Sequence, residues 1–168
     1  MLAKRIIHCL DVRNWMNIEN TSCYAFFLIR SAGQLDYDKG FIPEKNSAFD
    51  PDDITELLDI KPFEVIKSGT LKNNGKGKYN FSSWYGCKQT EPETDRFQQC
   101  GNIVKELKSH ISDLNKIKEI YNVNFSIQIF PCSKNESCSD VIGFSKDIID
   151  FCYLTDTEIV VDMFLYSS

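Results

Sequence analysis

Residues 23–29 read Cys-Tyr-Ala-Phe-Phe-Leu-Ile, the longest uninterrupted apolar run in the chain. Rich in strand-forming residues and bounded by polar stretches, it predicts a strand over 23–30 that is buried on both faces and central in its sheet. The run is far short of the roughly 20 residues that span a bilayer, so no membrane partner is expected. The chain has 168 residues, within the range of about 100–200 for one domain, and a domain of that size buries roughly 70% of the surface its unfolded chain exposes. With 42% hydrophobic residues it can fold without a metal or disulfide, and disorder is excluded as a whole-chain reading.

The remaining elements follow from local chemistry. Residues 33–49, with Gly33, Gly40, Pro43, Asn46 and Ser47, have little period and read as a long connecting loop. Asp50-Pro51-Asp52-Asp53 is a helix start: Asp50 can cap, proline takes the first turn, and two more carboxylates meet the positive end of the dipole. Ile54, Leu57 and Leu58 mark the buried face of that helix, which ends near Asp59 ahead of Pro62. Strands are predicted over 63–66 and 79–85, around the turn-rich 73–77. From about Thr94 to Tyr121, Phe97, Cys100, Val104, Leu107, Ile111, Leu114, Ile117 and Tyr121 recur every three or four residues as one helical stripe. Phe125, Ile127 and Ile129 then alternate as a half-buried strand, Ser145 can cap a short helix with Ile148, Ile149 and Cys152, and 158–166 is a last strand. The order predicts an α+β domain over 22–168, a largely antiparallel sheet packed against one long and two short helices. Residues 1–21 read as an N-terminal extension or edge element.

Catalytic and ligand-binding signatures are missing. There is no GxGxxG, GxxxxGK[ST], HExxH, GxSxG or EF-hand loop. His110 lies at the edge of the helical stripe, where a boundary residue is the simpler reading than a base. His8 and Cys9 are adjacent, so in a strand they point to opposite faces and form no Cys–His pair unaided. The seven cysteines, Cys9, Cys23, Cys87, Cys100, Cys132, Cys138 and Cys152, show no CxxC spacing. Cys23, Cys100 and Cys152 sit in apolar patterns as small hydrophobes, and Cys132 and Cys138 are a poor zinc pair with histidines so distant in sequence. The N-terminus lacks the apolar core and cleavage site of a secretory signal, so free thiols and a cytoplasmic location are expected, with no catalytic residue, metal or cofactor.

Charge carries the functional expectation. A net charge of −5 has the wrong sign for phosphate neutralisation and argues against nucleic acid as a direct partner. The charge is segregated: 34–64 holds nine acids and three bases, 65–90 five lysines and no acids, and 123–168 seven acids and two bases. Segregated acidic surfaces steer basic protein partners. The candidate partner-binding residues are therefore Asp50, Asp52, Asp53, Glu56 and Asp59 on the short helix, with Asp156, Glu158 and Asp162 around the last strand. Trp84 and Tyr85 are candidate anchors of such an interface, with core packing the equal alternative for Trp84. Capping accounts for half of the first acidic group, and a solvated edge is the plain reading of the second.

The segments Phe49-Asp-Pro-Asp-Asp-Ile-Thr-Glu-Leu-Leu-Asp-Ile-Lys-Pro62, Lys67-Ser68-Gly69, Phe81-Ser-Ser-Trp84 and Ile159-Val-Val-Asp-Met-Phe-Leu-Tyr166 resemble a bacterial domain-of-unknown-function family, number 4279. The resemblance covers roughly residues 22–166. It implies an opening strand, a "P-x-x-I-T-x-x-L-x-I-x-P" helix, a glycine turn, a tryptophan-containing strand, a long helix and an acidic final strand, and it transfers no catalytic residue. The 33–49 loop looks longer than the family's, and the first 20 residues extend beyond the match. In size and charge the chain is also similar to immunity proteins of bacterial toxin systems. The expected function is neutralisation of a cognate protein toxin, a basic nuclease by preference, by an acidic chain that is a monomer when free. The alternatives are a small-molecule or nucleotide-binding domain, which a deep pocket would favour, and a hydrolase whose site is assembled from dispersed acids.

Overall fold

The computed structural model describes residues 24–36, 38–72, 75–90, 96–130 and 143–161. The expected extension 1–21, His8, Cys9, Cys23, Cys132, Cys138, Asp162 and the helix start at Thr94 lie outside the described residues. The strands are β1 (Tyr24–Ser31), β2 (Gly33–Asp36), β3 (Gly40–Pro43), β4 (Glu64–Ile66), β5 (Ser83–Gln89), β6 (Val123–Phe130) and β7 (Thr157–Val161). The helices are α1 (Pro51–Leu58), α2 (Arg96–Leu107), α3 (Ile111–Ile120) and α4 (Lys146–Thr155), with a 3-10 turn at Lys108–His110 between α2 and α3. Five strands form one sheet of order β4-β5-β1-β6-β7, antiparallel except for the β6–β7 pair, and β2 and β3 form a separate hairpin. The architecture is α+β.

β1 is central, and every residue from Tyr24 to Ile29 is buried. On one face Ala25, Phe27 and Ile29 join Trp84, Phe125, Ile127 and Ile129 beneath the helices. Those helices contribute Ile54 and Leu58, then Cys100, Ile103, Val104 and Leu107, then Leu114 and Ile117, and lastly Ile148 and Phe151. On the other face Tyr24, Phe26, Leu28, Tyr85 and Phe130 form a second cluster, in which the Tyr24 and Phe130 rings stack at 4.5 Å and Phe63 meets Phe26 edge-on. β6 buries Phe125, Ile127 and Ile129 against the helices, while its other face runs from exposed Asn124 through buried Ser126 and half-buried Gln128 to Phe130 in the aromatic cluster.

Several elements differ from the sequence expectation. The 33–49 stretch is not a plain loop but contains the β2–β3 hairpin, where the Asp36 carboxylate accepts from the amides of Asp38 and Lys39 and Gly40 takes a φ of 80°. The guanidinium of Arg30 lies over the rings of both Phe41 and Phe81, at 5.3 and 5.5 Å, which themselves meet edge-on at 5.2 Å, and this joins the hairpin to β1. The long helix is broken by its 3-10 turn, which shifts the phase of the stripe: Leu107 and Leu114 are buried, while Ile111 is only half-buried. Leu57 is 37% exposed, because Ile54 and Leu58, one turn apart, already face the core. Ser145 flanks α4 without a side-chain capping bond.

β5 runs from Ser83 rather than from Tyr79, and its pairing with β1 slips between Ala25 and Phe27. Cys87 occupies this bulge with a φ of 54°. Just before it, the Trp84 indole covers Gly86, so that a methyl group on Gly86 would fall inside the ring. Only glycine leaves that space, and the buried ring cannot retreat.

Two substitutions test this packing by denaturant unfolding. Gly86→Ala is expected to cost about 1–3 kcal/mol through overpacking. Leu107→Ala is expected to cost about 2–5 kcal/mol, because it opens a cavity beneath the sheet; a loss below about 0.5 kcal/mol, the scale of ordinary surface changes, would be incompatible with the buried α2 stripe.

Candidate functional site

α1 is held in place by groups far away in sequence. The Trp84 indole N–H donates to Thr55 Oγ1 at 3.1 Å, and Thr55 in turn donates to the carbonyl of Pro51. The approach to the helix is pinned by two buried serines that sequence patterning missed. Ser82 Oγ donates to the Phe49 carbonyl at 2.6 Å, the Ser82 amide donates to Ser31 Oγ at 2.9 Å, and the Ser31 amide donates back to the Ser82 carbonyl at 3.0 Å. Serine is common on surfaces, so nothing local marks these two as core residues.

From this anchored start, Asp50 caps α1 by accepting from the Asp52 amide and pairs with Lys67 beyond β4. Asp52, Asp53, Glu56 and Asp59 are all exposed. At 100° per residue they share one arc of the helix, opposite Pro51, Ile54 and Leu58. Leu57 borders that arc and adds an apolar contact that the sequence had assigned to the core. Asp59 closes the helix in the left-handed region, φ 52°, with its amide donating to the Thr55 carbonyl.

The second acidic group approaches the first across the end of α3. α3 packs against both α1 and α4. Within its last turn and cap, Tyr121 donates its hydroxyl to Asp53 at 2.8 Å, and Lys118 reaches the Asp156 carbonyl oxygen at 2.7 Å and its carboxylate. Asp156 and Glu158 are exposed. Tertiary structure therefore places the acids of α1 and those beginning β7 on either side of residues 118–121. Asp162 lies outside the described residues. Trp84 and Tyr85 are corrected: at 0% and 1% exposure they belong to the two cores and cannot anchor a partner on the folded surface.

The electrostatics are those of a charged surface. The Lys67 hydrogen bond, with the Asp52 amide second, holds the Asp50 carboxyl below its ordinary value, and the same bond raises Lys67. The hydrogen bond to Asp53 raises the Tyr121 hydroxyl. Burial pushes the Cys100 thiol up to about 12 and raises Cys87 and Cys152 as well, so these free thiols are poor nucleophiles. His110, half-buried at the 3-10 turn, faces Asp113 at 3.7 Å. Among the described residues no group of three or more His, Cys, Asp or Glu is placed to hold a metal ion, and no helix is long and apolar enough to cross a membrane.

The Asp50–Lys67 pair is directly testable. A carboxyl depressed in the folded state adds stability above its unfolded value and loses it as pH falls through the folded value. In an NMR titration, Asp50 should therefore remain ionised below pH 3.8, its ordinary midpoint, and Lys67→Met should move the midpoint back toward that value. A midpoint indifferent to Lys67→Met would remove the pair from the anchoring of α1.

No curated protein and no solved structure matches this chain. The family model described as "Domain of unknown function (DUF4279)" matches residues 11–166, beginning earlier than the residue-22 boundary suggested by the sequence motifs. The chain belongs to the DUF4279 family.

Proposed function

We propose that this protein is an immunity-type binder that neutralises a cognate basic toxin, a nuclease by preference, in the bacterial cytoplasm by covering its active site or an essential surface. The reading is supported above all by the convergence of two acidic groups, from α1 and from the start of β7, on the end of α3. Asp52, Asp53, Glu56 and Asp59 are the principal contacts, with Leu57 as the apolar element beside them and Asp156 and Glu158 as the flank. Such a surface steers a cationic partner from a distance and sets its orientation on arrival. α1 suits this task because a hydrogen bond from the core tryptophan and a buried serine pair hold it rigid, so little ordering is lost on binding.

The test begins with affinity capture from the native host, identification of the captured protein, and assay of its activity with and without this chain. For the purified pair, simultaneous reversal of Asp52, Asp53 and Glu56 to Lys is expected to slow association by about tenfold to a thousandfold at low salt and to flatten its salt dependence, with the circular dichroism spectrum unchanged. Reversal of Glu158 tests the flank in the same way. The proposal fails if neither set alters association, or if the captured protein keeps full activity in the complex.

A further inference from the structure

We draw no further inference here: the strongest candidate, the outer face of α4 with Ile149, Tyr153 and Leu154 exposed, carries nothing because its end charges are already paired within the chain, Lys146 with Asp150 and Asp156 with Lys118, and nothing in the structure shows what covers it.

Discussion

Burial of β1 on both faces is the constraint from which the architecture follows. A strand without a polar face must have a layer on each side and a hydrogen-bonded neighbour along each edge. Here β5 and β6 supply the edges, the helices cover Ala25, Phe27 and Ile29, and the aromatic cluster encloses Phe26 and Leu28. Because β1 and β6 pair without a slip over eight positions, the alternation of one strand sets that of the other. The bulge in β5 is where this regularity is interrupted, and Cys87 adopts a left-handed backbone to accommodate it.

Trp84 connects this core to the surface. Its ring fills the space above Gly86, and its N–H fixes Thr55 on α1. A tryptophan with a satisfied N–H can be fully buried and still specify the position of a neighbouring element. The same residue that the sequence offered as an interface anchor thus acts on the candidate interface from behind, by orienting the helix that carries the acids. Ser31 and Ser82 complete that support by satisfying backbone groups where the chain enters α1.

Exposed charge on this molecule is organised by the last turn of α3. Tyr121 and Lys118 each hold one acid, from elements 68 and 38 residues away in sequence, and bring the two acidic groups to one region. Individual surface pairs of this kind contribute little to stability. Their consequence is positional: they direct carboxylates outward in a common area, where the summed field reaches further than any one contact.

Elements governed by nearest neighbours were legible from the sequence. The apolar run of β1, the Asp50-Pro51 start of α1, the α2–α3 stripe and the alternation in β6 all depend on periodicity or on a capping side chain, and each appears close to its expected place. Elements governed by distant partners were not. Ser82 meets Ser31 across 51 residues, Trp84 meets Thr55 across 29, and Arg30 meets Phe41 and Phe81 only once the sheet has formed. The side of α1 on which Leu57 lies depends on how the helix docks, not on its apolar spacing. The sequence by itself determined the α+β class and the segregation of charge, since composition and local periodicity are properties of the chain. Only the tertiary structure decided which acids share a surface and which aromatics are inside, because both depend on contacts between residues that the chain itself keeps far apart.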